Sequence, residues 1–173
     1  SATTVAAYRD EAVWLAQHLL AAIERKKGEV TRLQELFQQH PDHELFASLP
    51  GTGDFLAPAL LAKFGDDRER FPQPGSLQAL AGTCPVTEQS GKGRRVHFRQ
   101  ACDHEFRQIA QQWARASVSQ SSWAATYWHS VREHSRTNSH AYRCLANRWL
   151  AIAWKCWQAR QPYDEAVHLQ NRA

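Results

Sequence analysis

The segment DHEFRQIAQQWARAS, residues 103–117, decides the fold class of this chain. Its apolar and small side chains recur every three or four residues, which is the spacing of one face of an α-helix. Residues 121–131 and about 139–158 show the same spacing. Three consecutive helices that pack through such faces predict a domain that is all-α or nearly so.

The N-terminal residues 5–39 also have a helical period, with apolar residues at alternating steps of three and four. These apolar residues form a row along one face of the helix, which we call the seam. Such a seam packs against another helix, either in the same domain or in a partner chain. A polar break at residues 24–28 interrupts the seam. We therefore predict a long helix or a helical hairpin over residues 1–41. This element joins copies of the chain into a homo-oligomer or packs on its own domain, and both alternatives stay open.

The rest of the chain divides into a helical domain over residues 42–163 and a tail over 164–173. Asp42 follows a proline and is predicted to cap the next helix, and Ser76 is predicted to cap another. Pro162 ends the regular part, because proline cannot continue a helix. We expect the tail beyond it to be frayed.

The composition excludes several classes of protein. No apolar run approaches the roughly 18 residues of a membrane span, and no signal-peptide pattern is present, so we expect a cytoplasmic protein without a membrane segment. The net charge of +4 fits a nucleic-acid partner. The four cysteines match no standard zinc spacing, which predicts reduced thiols and no metal site; they are Cys84, Cys102, Cys144 and Cys156.

The first candidate site is a glycine-containing turn, Leu49–Gly53, between two predicted helices. Such a turn leaves backbone N–H groups free at the start of the second helix, where they and the helix dipole bind a phosphate oxygen. A β-carbon would block close approach of a DNA backbone, so Gly51 and Gly53, with Thr52 between them, favour a helix-hairpin-helix motif over residues 44–64. The alternative is an ordinary turn without a ligand.

The second candidate site is the basic loop 86–100, which we expect to be exposed and partly flexible, with one short strand around 96–98. An exposed serine attacks a phosphodiester when nearby cations stabilise the charge on the phosphorane oxygens. Ser90 is therefore the candidate nucleophile. The candidate phosphate ligands are Lys92, Arg94, Arg95 and Arg99. Nothing in the sequence places His97 or His104 beside Ser90 as a base. The alternative is a basic surface loop with an incidental serine.

Three segments, in order, resemble the insertion-sequence transposases of the one-ten, one-sixteen and nine-oh-two group. They are LPGTG at 49–53, FGD at 64–66 with RF at 70–71, and LAGTCP at 80–85 leading to QSG at 89–91. The likeness covers about residues 44–163. Family members usually continue with a Lys-x-Gly-Asn stretch, whereas residues 100–107 of this chain read QACDHEFR.

The resemblance implies the C-terminal, DNA-binding domain of a transposase. A serine of this domain acts as the nucleophile on DNA in that family, and Ser90 matches it in position. The resemblance also implies a separate N-terminal RuvC-like domain that binds magnesium, so we expect no cofactor in this chain itself. DNA and a structured guide RNA are the implied partners, at the bacterial nucleoid. The alternative is a non-catalytic nucleic-acid-binding and oligomerisation module.

Overall fold

The structure is a computed structural model, and it describes residues 2–91 and 93–170. The chain divides into two compact units, residues 1–39 and 40–173. The first unit is one continuous helix, α1, Ala2–Gln38, which is about 55 Å long at about 1.5 Å per residue. The alternative of a helical hairpin was wrong. A single glycine costs a helix interior only about 1 kcal/mol, so Gly28 does not end α1.

Large apolar side chains of α1 are exposed to solvent along much of its length. They are Val5, Tyr8, Val13, Trp14, Leu15, Leu19, Leu20, Ile23 and Leu36. Charged and polar residues alternate with them. Neither α1 nor any other helix within residues 2–91 and 93–170 is both long and apolar enough to cross a membrane.

The second unit is a helical domain in which one β-hairpin interrupts the helices. Its helices are α2 (His43–Ala47), α3 (Gly53–Phe64), α4 (Pro74–Leu80), α5 (His104–Ser117), α6 (Ser122–Glu133), α7 (Asn138–Ala159) and α8 (Glu165–Gln170). A short 3-10 turn covers Arg68–Arg70, and the hairpin strands are β1 (Val86–Ser90) and β2 (Gly93–His97). Helix α7 packs against α4, α5 and α6, and α3 packs against α2 and α5.

Aromatic side chains fill the core between these helices. The rings of Trp113 and Trp149 lie 5.1 Å apart. Phe64 makes edge contacts with Phe46 at 5.0 Å and with Trp157 at 5.5 Å. All five side chains are fully buried. Truncation of one such ring to alanine costs about 3–5 kcal/mol, so these contacts dominate the stability of the domain.

The three helices that the sequence spacing predicts each begin at a capping side chain. The cap accepts a hydrogen bond from the backbone N–H three residues further on; the caps are Asp103, Ser121 and Thr137. An N-cap satisfies one of the donors left free at a helix start, so these residues define where α5, α6 and α7 begin. The prediction of a nearly all-α domain is confirmed, and the hairpin is the exception.

Of two other predicted caps, Asp42 holds the N-cap position of α2, and Ser76 was wrong. The side chain of Asp42 makes no cap hydrogen bond. Its carboxylate instead accepts two hydrogen bonds from Nη2 of Arg68, at 2.7 and 2.9 Å, because a charge-assisted contact is the stronger one. Ser76 lies inside α4, which begins at Pro74. Proline suits that place because its missing N–H needs no partner in the first turn.

The C-terminal tail contains a helix, so the prediction that it is frayed was wrong for residues 165–170. One carboxylate oxygen of Glu165 accepts hydrogen bonds from the hydroxyl groups of Ser121 and Ser122, at 3.1 and 2.9 Å. It also accepts one from the backbone N–H of Ser122 at 3.0 Å. A carboxylate at a helix N-terminus is favourable, so Glu165 holds α8 at the start of α6.

Candidate functional site

The basic loop of the sequence is a β-hairpin. Strands β1 and β2 pair antiparallel through a two-residue turn, and Ser90 lies opposite Gly93. Gly91 opens the turn with φ +56°, which glycine adopts without strain and which two-residue hairpin turns require. The prediction that this segment is exposed is confirmed, apart from the half-buried Val86. The prediction of a loop with one short strand at 96–98 was wrong, because residues 86–90 and 93–97 form a continuous ladder.

Ser90 is the last residue of β1, and it is exposed at the tip of the hairpin. Its hydroxyl makes no hydrogen bond to any described residue. His97 lies opposite Val86 at the other end of the ladder, about 14 Å away at about 3.4 Å per residue, and its Nε2 is 3.3 Å from the Glu88 carboxylate. Within residues 2–91 and 93–170, no base is hydrogen-bonded to the Ser90 hydroxyl, and His97 is too far away to act as one.

The strand register separates the predicted cations onto two faces of the hairpin. Successive side chains of a strand point to opposite faces, and directly paired residues share a face. Glu88 pairs with Arg95, and Gln89 pairs with Arg94. Ser90 therefore shares its face with Arg95, two residues along, whereas Arg94 lies on the other face. Sequence spacing alone does not reveal this difference.

Two further predicted phosphate ligands are Lys92 and Arg99. Lys92 is outside the described residues. Arg99 follows β2 and is half-buried, and its Nε is buried without a hydrogen-bond partner. Arg99 therefore belongs to the base of the hairpin, whereas Ser90 belongs to its tip.

The glycine turn at residues 49–53 is largely closed by the protein itself. The backbone N–H of Gly51 donates to the Oε1 of Gln120 at 3.0 Å. Thr52 is buried, and its hydroxyl donates to the carbonyl oxygens of Phe46 and Leu49, at 3.2 and 2.8 Å. Gly53, by contrast, has open space where a β-carbon would lie. Gly53 and the start of α3 are the part of the turn that faces outward.

The turn and the hairpin lie at opposite ends of α5. The turn packs on Ser117, the last residue of that helix. The base of the hairpin is held by Arg107, whose Nη2 donates to the carbonyl oxygen of Arg99. About 15 Å of helix separates Arg107 from Ser117. The two predicted phosphate-binding features are therefore separate surfaces of one domain.

A pair of arginines at the base of the hairpin was not recognised from the sequence. The guanidinium carbons of Arg107 and Arg143 lie 4.4 and 4.6 Å from the ring centroid of Phe98. Burial lowers the pKa of Arg143, and the charge of Arg107 lowers it further. The two arginines are 36 residues apart in the sequence, on α5 and α7, so no local pattern connects them.

Cysteine and histidine side chains line a cavity of about 300 Å³ beside the hairpin; they are Cys84, His97, His140 and Cys144. The Sγ of Cys144 is 3.7 Å from Nε2 of His140. Burial raises the pKa of the Cys144 thiol, which favours the neutral form over the thiolate that binds metals. In the described part of the chain, no group of three or more His, Cys, Asp or Glu residues is arranged to hold a metal ion.

The fold and site together define a helical domain that presents a cationic hairpin with an exposed serine at its tip. Residues 43–129 match the family described as Transposase IS116/IS110/IS902. The chain belongs to this family. The resemblance seen in the sequence is thereby confirmed.

Curated relatives of the chain come from insertion elements. A mini-circle protein assigned as the transposase for IS117, from Streptomyces coelicolor, is 35% identical over 133 residues, which are 77% of this chain and 32% of the relative. The uncharacterized 43.6 kDa protein of insertion element IS110, also from Streptomyces coelicolor, is 28% identical over 80% of this chain and 34% of its own length. The chain therefore spans about a third of the length of these relatives.

Proposed function

We propose that this chain is the DNA-binding part of a transposase and that Ser90 is its nucleophile. The observation that carries the proposal is the position of Ser90 at the exposed tip of a cationic hairpin. A hydroxyl at a hairpin tip reaches into a groove of DNA without a clash between the two backbones. Family membership supports the same function, because transposases cut and join DNA strands.

In the proposed reaction, the Oγ of Ser90 attacks the phosphorus of a DNA phosphodiester. A bond forms between Oγ and phosphorus as the bond from phosphorus to one deoxyribose oxygen breaks. The serine gives up its proton and the departing oxygen takes one up, so the product is a phosphoserine link and a free DNA hydroxyl. The phosphoserine link conserves the energy of the broken phosphodiester bond, so the DNA strand can be rejoined without an external energy source.

Arg95 is the cation best placed to assist this reaction, because the strand register puts it on the face of Ser90. Its guanidinium would stabilise the negative charge that develops on the phosphorane oxygens. Arg94, on the opposite face, would contact a neighbouring phosphate and contribute binding only. The outward part of the glycine turn, at Gly53, would hold DNA at the other end of α5.

No base among the described residues is hydrogen-bonded to Ser90, so its activation would come from elsewhere in a longer protein. The family resemblance implies magnesium held by a RuvC-like domain, and a metal ion of that kind lowers the pKa of a bound hydroxyl. The same resemblance implies a guide RNA, and a DNA partner would place the protein at the nucleoid. The magnesium ion, the guide RNA and the location at the nucleoid are parts of this proposal.

The decisive experiment traps a covalent protein–DNA adduct with the full-length protein and a nicked DNA substrate. Ser90→Ala is expected to abolish the adduct while DNA binding stays within about twofold, because a single exposed hydroxyl contributes little affinity. Thr87→Ala is the matched control, since Thr87 is an exposed hydroxyl on the other face of the same hairpin. An adduct that survives in Ser90→Ala would refute the assignment of the nucleophile.

The alternative function is a nucleic-acid-binding and oligomerisation module without catalysis. It predicts salt-dependent DNA binding but no adduct. Simultaneous replacement of Lys92, Arg94 and Arg95 by alanine would then weaken binding and reduce its salt dependence by up to about three phosphate contacts. If wild-type protein and this variant bind DNA equally well, the hairpin does not contact phosphate. That result would contradict both the catalytic proposal and the alternative of a binding module that uses the hairpin.

The exposed apolar seam of α1 supports self-association. Tyr8, Leu15 and Leu19 are 73%, 53% and 62% exposed, and they lie seven and four residues apart, which puts them on one face of the helix as in a coiled coil. We propose that a second copy of α1 covers them. Leu15→Glu with Leu19→Glu is expected to convert a dimer to a monomer in light scattering, whereas Gln17→Glu, on the opposite side of the helix, is expected to leave it dimeric. A wild-type monomer at high concentration would contradict this.

A further inference from the structure

An open cleft of about 620 Å³ runs between α5 and the first turns of α7, apart from the hairpin tip and the glycine turn. Its lining contains cations, amides and hydroxyl groups but no carboxylate. Its cations include Arg107 and Arg115 on α5, and Asn138 and Ser139 supply an amide and a hydroxyl on α7. These groups are the donors that contact phosphate and base edges in protein–DNA complexes.

The acidic residues closest in sequence form ion pairs with a lysine of α3. The Nζ of Lys63 lies 2.9 Å from the carboxylate of Asp103 and 2.6 Å from that of Glu105. These ion pairs raise the pKa of Lys63, chiefly through the hydrogen bond to Glu105. Lys63 offsets one of these two negative charges. Neither carboxylate lines the cleft, where the charged side chains are the cations Arg107 and Arg115.

Three arginines lie at the hairpin end of α5 without a counter-ion in the described part of the chain, and one of them, Arg107, lines the cleft. Among the described residues, no carboxylate lies within 4.0 Å of Arg99, Arg107 or Arg143. The Nε atoms of Arg99 and Arg107 are buried and donate to no acceptor. Partly buried like charges and unsatisfied donors are unfavourable unless a ligand compensates them. An anion at this end of the cleft would offset the repulsion among these three positive charges.

A second source of positive potential lies on the α7 side of the cleft. Asn138 and Ser139 are the first residues of α7, a helix of 22 residues, and both line the cleft. The first N–H groups of a helix have no partner within the helix and carry the positive end of its dipole. The arginines of α5 and the N-terminal end of α7 therefore both favour an anionic ligand in the cleft.

We propose that the α5–α7 cleft binds the phosphate backbone of DNA adjacent to the segment that the hairpin engages. Arg107 would contact one phosphate at the hairpin end, and Arg115 would contact another about 12 Å along α5. The cleft extends DNA binding from the hairpin toward the end of α5 that carries the glycine turn. This inference rests on the proposed DNA-binding function of the hairpin.

The test measures the affinity of the chain for labelled duplex DNA by fluorescence anisotropy across a salt series. Arg115 is exposed and makes no ion pair among the described residues, so Arg115→Glu removes a cleft cation without disturbing the fold. It is expected to weaken binding about tenfold or more and to reduce the salt dependence by about one phosphate contact. Lys155→Glu is the matched control, because Lys155 is an exposed cation of α7 that lines a different cavity. It is expected to change the affinity less than about twofold.

The possible outcomes separate the two proposals. If hairpin variants weaken DNA binding but Arg115→Glu binds like wild type, the cleft proposal is overturned and the hairpin proposal stands. If Arg115→Glu weakens binding of a single-stranded RNA of the same length but not of DNA, the choice of DNA is overturned. If the wild-type chain binds no DNA at low salt, both proposals fall. Unfolding midpoints of the variants, compared with wild type, identify any loss of binding that arises from unfolding.

Discussion

A β-carbon on Gly51 would lie 2.5 Å from the backbone nitrogen of Ser117, so the glycine turn is in direct backbone contact with the end of α5. Gly51 also has φ +82°, in the left-handed region. Sequence reasoning assigned the small size of this glycine to the approach of a DNA backbone. The backbone that approaches it in the structure is the protein's own.

Gly51→Ala is therefore expected to destabilise the domain severely, by more than about 2 kcal/mol, because the clash is with backbone that has no room to move. Gly53→Ala is the matched variant, since Gly53 also has positive φ but open space around it. It is expected to cost only about 1–2 kcal/mol of conformational strain. Urea unfolding measures both values, and equal losses would contradict the packing role of Gly51.

Ser117→Ala is expected to reduce the free energy of unfolding by about 1–3 kcal/mol. The Nε1 of Trp149 donates to the Oγ of Ser117 at 2.7 Å, and both side chains are fully buried. Removal of the hydroxyl leaves a buried donor without an acceptor. Ser119→Ala, at an exposed serine two residues on, is expected to change stability by less than about 0.5 kcal/mol. Urea unfolding with tryptophan fluorescence compares the two.

Asp103 is expected to make the stability of the domain depend on pH in the acid range. The backbone N–H of Phe106 and the Nζ of Lys63 lower the pKa of this carboxyl below its ordinary value of 3.8. A lowered folded-state pKa stabilises the protein above the unfolded-state pKa, and this contribution disappears as the pH falls through the folded-state pKa. The carboxylate is partly exposed, so we expect a contribution of only about 1 kcal/mol.

The comparison of wild type with Asp103→Ala tests this sign. The difference in unfolding free energy is expected to be constant near neutral pH and to shrink below about pH 4. Asp66→Ala, at an exposed carboxylate that contacts His40, is a control outside α5. A difference for Asp103→Ala that grows toward acid pH would contradict the argument.

Tyr163 is expected to ionise well above the ordinary pKa of a tyrosine, which is about 10. Burial raises its pKa to about 12, although the hydrogen bond from Nε1 of Trp123, at 2.7 Å, acts in the opposite direction. The raised folded-state pKa leaves stability unchanged below the unfolded-state value of about 10, and stability falls as the pH rises through 12. Difference absorbance measures phenolate formation in the native protein. Phenolate formation near pH 12 is expected to vanish in Tyr163→Phe. Wild-type protein that shows no phenolate formation near pH 12 would contradict the prediction.

The helices of the second unit were predictable because their signals are local. The faces of α5 and α7 repeat every three or four residues, and the caps Asp103, Ser121 and Thr137 act on N–H groups three residues away. Both kinds of signal lie within a few residues of sequence. The helical period of α1 is also a local signal. Its polar break at residues 24–28 favoured the alternative of a hairpin, but a polar segment with one glycine does not end a helix.

The β-hairpin was not predictable from periodicity. Its residues are exposed on both faces, except for the half-buried Val86, so no alternation of apolar and polar side chains marks the strands. A usable signal was present in the two-residue connection, Gly91–Lys92, because glycine in such a turn is typical of hairpins. The charged side chains of this segment are also typical of a flexible loop, so the glycine alone did not distinguish a hairpin from a loop.

The sequence by itself determined the helical class, the starts of the central helices and the family, because each depends on short segments or their order. Only the tertiary structure decided what those segments contact. It placed Gly51 against Ser117 and gathered Arg107 and Arg143 around Phe98. It also put Arg95, and not Arg94, on the face of Ser90. The physical reason is that these contacts join residues through strand register and helix packing, which local spacing does not encode.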